Sequence, residues 1–241
     1  MNPRDYFNHN GEPLYVLHFP GDGLAAYSWI MEDNLCRKFT VSKDLSIISI
    51  MNYNYWKDSP LRMQCENNGV KLYNSALDEN NWANPKKIDY ILKNLGEIKT
   101  KYTLILDGRD VCICNDLDDA FLEKFKSLGY PIVYNGTPVP FPDVMIEPIQ
   151  ETIKIKGKQK YLNAGVCIGE TKELIDFYNI AKAVKENNSS YESITSEQYL
   201  IRLARRQAKD KVFWDTHNKI FRICHIYDTK AVEEDNKVIL I

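Results

Sequence analysis

The sequence predicts an α/β protein in which helices flank a mostly parallel central sheet. Apolar runs of strand length alternate along the chain with segments of helical periodicity, a pattern typical of parallel strands joined by crossover helices. The length of 241 residues suits one hydrophobic core, and neither a repeat nor a linker divides it. We therefore predict a single domain over residues 1–241, in which residues 1–12 form a polar lead-in.

The predicted strands are short runs rich in aliphatic and β-branched residues. The clearest run covers residues 102–106, and its near-continuous apolar character indicates a strand buried on both faces. The predicted strands cover residues 14–19, 45–51, 70–73, 102–106, 111–114, 131–134 and 161–169, with short ones near 212–214 and 220–221.

Between the strands lie segments whose apolar residues recur three or four positions apart, which is the spacing of a helix with one buried face. Asn84 is suited to cap such a helix with Pro85 in its first position, and Gly129 is suited to end another. The predicted helices cover residues 24–39, 60–69, 84–95, 116–128, 171–185 and 196–207.

The composition argues against several classes of function. A formal net charge of −2 provides no general attraction to nucleic acid. No apolar run reaches the roughly 18 residues of a transmembrane helix, and the first residues lack the basic and apolar regions of a signal peptide. The six cysteines show no CxxC spacing and mostly lie in apolar runs, which favours reduced thiols and a cytoplasmic protein.

Two carboxylates follow the clearest strand. Asp107 and Asp110 come directly after residues 102–106, at the carboxyl end of a predicted parallel strand, where open α/β sheets bind their ligands. Carboxylate oxygens are hard ligands that suit Mg²⁺ or Mn²⁺ holding a diphosphate. The alternative is a solvated turn with a capping aspartate. The metal interpretation indicates an enzyme that acts on a nucleotide-activated substrate.

The loop after the first predicted strand is a second candidate contact for a nucleotide. Gly21 lies in the turn of residues 20–23, where the backbone can approach a ligand closely. An ordinary tight turn is the alternative. His18 and His225 are interpreted as partly buried strand residues.

Five sequence blocks follow one another in a recognisable order. They are an apolar strand ending in Asp-x-x-Asp-Val, a strand leading to an aromatic-Pro loop, a segment of the form Leu-Asn-x-Gly, a Glu-Gln pair and an Asp-x-His segment. They cover residues 106–111, 132–143, 161–169, 196–200 and 214–222. This string resembles the glycosyltransferase domain of the procollagen galactosyltransferase and collagen lysyl hydroxylase family, which has a GT-A fold.

The resemblance implies a Rossmann-like GT-A glycosyltransferase that uses Mn²⁺, or Mg²⁺, to bind the diphosphate of a nucleotide-sugar donor, with UDP as the nucleotide. It implies that Asp107 and Asp110 bind the metal. The third ligand comes from Asp215, Thr216 or His217, and a one-residue shift of the alignment selects His217. The implied partners are the nucleotide-sugar and a carbohydrate or protein acceptor.

Basic and small residues near these blocks are candidates for donor binding. Lys86 or Lys87 and Arg109 are the nearest basic side chains for phosphate contacts, and Arg109 stands where the family often has a Tyr that stacks on uracil. Asn163 and Gly165 suit a sugar hydroxyl beside a closely approached backbone, with a plain strand-end turn as the alternative.

Two segments supply candidate catalytic acids. Glu197 is interpreted either as a catalytic or orienting acid, with Gln198 contacting the donor sugar, or as part of a capping box behind Thr195 or Ser196. Asp143, in the proline-rich segment 136–148, is a further candidate acid.

Two other functions are compatible with these residues. A nucleotidyltransferase-like sugar-phosphate enzyme would share the sheet and the paired aspartates. Such enzymes usually carry a basic glycine-rich loop after the first strand, whereas residues 18–23 contain no Lys or Arg. A non-catalytic carbohydrate-binding member of the fold would retain a degenerate site, and Thr137, Ser196 and Thr216 stand where the family has acids or His.

Overall fold

The computed structural model describes residues 4–139, 157–187, 196–225, 229–234 and 237–241. Over these residues the protein is a mixed α/β structure in which helices flank a six-stranded, mostly parallel central sheet. The predicted fold class is therefore confirmed. The described residues also form two three-stranded sheets.

The elements are numbered here in chain order. The strands are β1 (Asp5–Asn8), β2 (Val16–His18), β3 (Leu45–Ile48), β4 (Leu72–Tyr73), β5 (Tyr102–Leu106), β6 (Val111–Ile113), β7 (Ile132–Thr137), β8 (Tyr161–Glu170), β9 (Val212–Asp215), β10 (Phe221–Ile223), β11 (Ala231–Glu234) and β12 (Lys237–Leu240). The helices are α1 (Asp22–Ala26), α2 (Ser28–Leu35), α3 (Tyr53–Trp56), α4 (Pro60–Asn67), α5 (Lys87–Glu97), α6 (Asp119–Ser127), α7 (Thr171–Asn187) and α8 (Glu197–Gln207), and a 3-10 turn over Asn84–Lys86 leads into α5.

The central sheet has the strand order β4-β3-β5-β8-β7-β9. The β4–β3, β3–β5 and β7–β9 pairings are parallel, whereas β8 runs antiparallel to both of its neighbours. The other five strands therefore share one direction, and their carboxyl ends lie along one edge of the sheet, here called the carboxyl edge. The candidate site lies at this edge.

Apolar side chains alternate between the two faces of the central sheet. On β5, Ile105 belongs to the cluster that packs under α5, α7 and α8, while Leu104 belongs to the cluster that packs under α4 and α6. Both residues are almost fully buried. Burial on two faces explains why this strand is continuously apolar in the sequence.

A second sheet, of order β10-β2-β6, packs against the same core and brings two distant segments together. Strand β2 pairs parallel with β10 and antiparallel with β6. The register places His18 opposite Val111, the residue directly after Asp110. This register therefore delivers a histidine from the start of the chain to the predicted metal residues.

The structure corrects three local predictions. Asn84 does not cap α5: it begins the 3-10 turn before that helix, and its Oδ1 accepts a hydrogen bond from Trp82 Nε1. Residues 5–8 are not part of a polar lead-in: they form β1 and pair parallel with β12, and Tyr6 is buried in a third apolar cluster. The single helix predicted over residues 24–39 is instead the pair α1 and α2, because Tyr27 between them leaves helical geometry at φ −120° and ψ 26°.

The cysteine prediction agrees with the structure. All six cysteines are free thiols, and five of them are buried. Among the described helices, none combines the length and the apolar character needed to cross a bilayer.

Candidate functional site

Three potential metal ligands converge at the carboxyl edge. His18, Asp107 and Asp110 offer one ligand atom each within 4.8 Å of one another. The His18 Nε2 atom lies 3.6 Å from Asp110 Oδ2, and the imidazole is almost fully buried. The sequence placed the two aspartates in this group, and the third member is His18, which the sequence had assigned to strand packing.

Backbone hydrogen bonds hold the three residues in place. The Phe19 amide donates to the Asp110 carbonyl at 2.7 Å, and the Cys224 amide donates to the His18 carbonyl at 2.7 Å. On the other side, the Asp107 amide donates to the Gly165 carbonyl at 2.7 Å. His18 thus ends a strand, while Asp107 and Asp110 lie in a short loop that is hydrogen-bonded to neighbouring strands, and this anchoring favours a precise ligand geometry.

Gly165 lies directly against the His18 ring. A Cβ atom added at Gly165 would lie 2.8 Å from His18 Nε2 and 2.9 Å from Nδ1, closer than such atoms approach in proteins. Asn163 supports the same backbone, since its Oδ1 accepts a hydrogen bond from the Gly165 amide at 2.9 Å. The sequence predicted that a donor sugar approaches the backbone of Gly165. In the structure the imidazole of His18 packs there, and the donor contact stays a prediction.

Lys87 lies within the site and contacts two carboxylates. Its Nζ atom is 2.7 Å from Asp107 Oδ1 and 2.9 Å from Glu197 Oε1, and all three side chains are less than one third exposed. Lys86, the alternative phosphate ligand, instead pairs with Glu79 at 3.1 Å. The sequence assigned phosphate contacts to this pair of lysines, whereas in the structure both ammonium groups engage carboxylates.

The first residues of α8 turn towards this cluster. Ser196 is the residue before the helix, and its side chain makes no capping hydrogen bond. Glu197 bonds to Lys87, while the Gln198 Oε1 atom accepts a hydrogen bond from the Ala164 amide at 2.8 Å. The capping box with Ser196 is therefore not formed, and Thr195 lies outside the described residues. The interpretation of Glu197 and Gln198 as site residues stays a prediction.

Mutual electrostatics shift the pKa values of the metal-ligand candidates. Burial lowers the pKa of His18, but the nearby Asp110 and Asp107 carboxylates outweigh it and the net pKa is raised. For Asp110, burial raises the pKa, and His18 outweighs burial so that the net pKa is lowered. Burial raises the pKa of Asp107 despite the opposing effect of Lys87. His18 and Asp110 therefore favour their charged forms together.

Lys87 is kept charged by a similar balance between burial and neighbouring carboxylates. Burial alone would lower the pKa of Lys87, and Asp107 and Glu197 more than reverse this effect. Counting Asp107, Asp110 and Glu197 as ionised, three carboxylates face one ammonium. His18 must lose its proton to bind a metal ion, and with His18 neutral the cluster carries two formal negative charges, which a divalent cation would balance.

Arg109 lies between the two aspartates and is exposed. Its guanidinium carbon lies 5.7 Å from the ring centroid of Tyr55, a residue of α3 that is 42% exposed. The loop is fixed from beneath, because Ser59 Oγ donates to the Gly108 carbonyl at 2.5 Å and a Cβ at Gly108 would collide with Met51. The arrangement presents a cationic and aromatic surface beside the candidate metal ligands.

The remaining predicted residues lie outside this cluster. His217 is exposed, its Nδ1 lies 2.7 Å from Thr216 Oγ1, and it does not join the three-residue group. The Asp215 carboxylate accepts backbone hydrogen bonds from Ile220 and Phe221, so it closes the turn before β10. Gly21 is the residue before α1 and has a φ of 58°, which glycine adopts readily. Asp143 lies outside the described residues.

Sequence reasoning missed His18 as a site residue. A usable signal was present, because His18 ends an apolar run just before a Pro-Gly turn and so occupies the end of a strand. The decisive fact is the antiparallel register between β2 and β6. Such pairing between distant segments cannot be read from local periodicity.

The comparisons with known proteins identify no family. No family model and no curated protein matches the chain. A solved structure of 4-diphosphocytidyl-2C-methyl-D-erythritol synthase from Anaerococcus prevotii is similar at 11% identity, covering 80% of this chain and 95% of that chain, with a TM-score of 0.33. A likeness at this level has no bearing on activity.

Proposed function

We propose that the protein is a metal-dependent glycosyltransferase that uses a nucleotide-sugar donor, with UDP as the expected nucleotide. The observation that supports this most directly is the convergence of His18, Asp107 and Asp110 at the carboxyl edge of a mostly parallel sheet. Ligands of open α/β sheets bind at this edge. The sequence resemblance to the procollagen galactosyltransferase and lysyl hydroxylase family supports the choice of sugar transfer.

The residues present fit a divalent cation. One imidazole nitrogen and two carboxylates form a mixed nitrogen and oxygen donor set, which suits Mn²⁺ and leaves coordination positions for phosphate oxygens. Within the group, the His18 Nε2 atom lies 3.6 Å from Asp110 Oδ2, whereas the buried Nδ1 atom has no hydrogen-bond partner. His18 Nε2, Asp107 and Asp110 would hold the cation, which would supply positive charge to the departing diphosphate.

The chain itself provides the remaining contacts. Arg109 is exposed beside the ligands, so its guanidinium can bind a phosphate oxygen or stack on a planar base, with the Tyr55 ring as a neighbouring surface. Gly21, in the turn after β2, allows the backbone to approach the nucleotide. Asn163 and Gln198 bond to the backbone of Gly165 and Ala164 on β8, beside the metal-ligand candidates, and can bind sugar hydroxyls.

Binding of the donor tests this proposal. Calorimetry with a panel of UDP-, GDP- and CDP-sugars should detect binding of a UDP-sugar by the wild-type protein in the presence of Mn²⁺. The substitution Asp110→Asn keeps the shape of the side chain but removes a charged ligand, and we expect it to weaken donor binding at least tenfold. Mn²⁺-dependent hydrolysis of the bound donor should fall in parallel.

A matched control separates the site from general charge effects. Asp44 is an exposed aspartate directly before β3, at the amino end of that strand and therefore opposite the carboxyl edge, and Asp44→Asn should leave donor binding unchanged. Equal donor affinity in the Asp110→Asn and Asp44→Asn variants, or donor binding that does not depend on metal, would contradict the proposed function.

A further inference from the structure

Lys87 occupies an unusual position for a lysine that the sequence indicated as a phosphate contact. It is the first residue of α5, its side chain is 16% exposed, and its ammonium bridges Asp107 after β5 and Glu197 at the start of α8. Three separate elements therefore meet on one buried cation. A buried charge is tolerated only when it is well paired, which is the case here.

The cavity beside Lys87 is too small for a phosphate group. A cavity of about 20 Å³ lies beside it, lined by Lys87, Asp107, Glu197, Ala164 and apolar side chains of α5 and α8. This volume accommodates roughly one water molecule, which can accept the third N–H bond of the ammonium. The Lys87 ammonium therefore lies beside this small, mostly apolar space and contacts Asp107 there.

The bonds also determine which carboxylate oxygens remain available. Lys87 donates hydrogen bonds to Oδ1 of Asp107 and Oε1 of Glu197, so the second oxygen of each carboxylate can bind another partner. A hydrogen bond to one oxygen fixes the orientation of the carboxylate, so the other oxygen points in a defined direction. Metal-binding carboxylates are commonly oriented by neighbouring hydrogen bonds in this way.

We propose that Lys87 is a positioning residue, which orients Asp107 for a divalent cation and couples that aspartate to Glu197 on α8. The inference rests on the proposed function for the identity of the cation. For the affinity of the cation, this role of Lys87 predicts a change opposite in sign to the change that charge alone predicts. Removing a positive charge beside a cation site should strengthen cation binding, whereas loss of a positioning residue should weaken it.

The test measures Mn²⁺ binding alone, by the loss of the free-ion signal in electron paramagnetic resonance. We expect Lys87→Met to raise the dissociation constant for Mn²⁺ at least tenfold and Lys87→Arg, which keeps the bridge, to restore most of the affinity. Lys93 is an exposed lysine on the same helix, so Lys93→Met is the matched control and should stay within twofold of wild type.

A double variant covers the case in which Lys87→Met does not fold. Lys87→Met combined with Glu197→Gln removes one charge of each sign, so the net charge of the cluster is kept and Glu197 no longer remains as an unpaired buried carboxylate. We expect this protein to fold and still to bind Mn²⁺ at least tenfold more weakly than wild type. Wild-type affinity in the double variant would mean that only charge matters and would overturn the inference.

The outcomes separate this inference from the proposed function. Unchanged or tighter Mn²⁺ binding by Lys87→Met, with normal binding by the wild type, would overturn the role of Lys87 alone. Absence of Mn²⁺ binding by the wild type would overturn both proposals. The expected order of affinities, combined with no binding of any nucleotide-sugar, would support Lys87 as a positioning residue and contradict the glycosyltransferase.

Discussion

At the scale of single residues, the candidate site depends on which side chains can be recognised locally. Asp107 and Asp110 could be predicted because they end a continuously apolar strand, and this pattern is visible within ten residues of sequence. His18 could not be assigned to them, because its contact with Asp110 arises from strands separated by more than ninety residues. The need for glycine at position 165 also depends on this contact, because only a residue without a Cβ leaves space for the His18 imidazole.

The substitution Gly165→Ala tests this packing. The added methyl group must displace the His18 ring, so we expect destabilisation of about 1–3 kcal/mol, as for overpacked cores, together with at least a tenfold loss of Mn²⁺ affinity. Denaturant unfolding and Mn²⁺ titration measure the two effects.

An alanine at a second glycine provides the control for Gly165→Ala. Gly96 is an exposed residue of α5 with open space around its Cβ position, so Gly96→Ala should stabilise the protein by up to about 1 kcal/mol and leave Mn²⁺ binding unchanged. If Gly165→Ala binds Mn²⁺ as the wild type does, the imidazole is not a ligand.

At the scale of elements, two helices begin with similar sequences and use them differently. In α6, the Asp118 side chain accepts hydrogen bonds from the amides of Ala120 and Phe121, which is an ordinary cap. In α8, Ser196 makes no such bond and the acidic residue after it pairs with Lys87. Both helices are preceded by a residue type that often caps helices, and only tertiary contacts distinguish the ordinary capped start from the one that faces the site.

A pair of alanine substitutions measures this difference. Asp118→Ala removes two capping bonds and should destabilise the protein by about 1 kcal/mol. Ser196→Ala removes no capping bond and should change the free energy of unfolding by less than about 0.5 kcal/mol. Chemical denaturation of both variants decides the matter, and equal losses would show that Ser196 caps α8 in solution.

At the scale of the whole molecule, the site lies where two sheets meet. Asp107 follows a strand of the central sheet, whereas His18 ends β2 of the β10-β2-β6 sheet. The central sheet was predictable because its strands are apolar runs alternating with helices. The second sheet was not, because its three short strands come from residues 16–18, 111–113 and 221–223, whose pairing is set by packing rather than by local pattern.

A bound cation that uses all three ligands should therefore join the two sheets. At a Mn²⁺ concentration a hundred times the dissociation constant, the native state gains about 2.7 kcal/mol, which raises the melting temperature and slows globally controlled amide exchange about a hundredfold. Three amides report on the junction. The Phe19 and Cys224 amides donate to the carbonyls of Asp110 and His18, so they report on the second sheet. The Asp107 amide donates to the Gly165 carbonyl of β8, so it reports on the central sheet.

Hydrogen exchange with and without Mn²⁺ should show added protection at all three amides in the wild type and at none in Asp110→Asn. Protection at Asp107 without protection at Phe19 and Cys224 would contradict the junction, because the ion would then bind the aspartates without His18. An ion bound by the two aspartates alone would also slow exchange that occurs by global unfolding, so the comparison uses amides that exchange by local opening. Added protection of such amides at Phe19 and Cys224 would support His18 as a ligand.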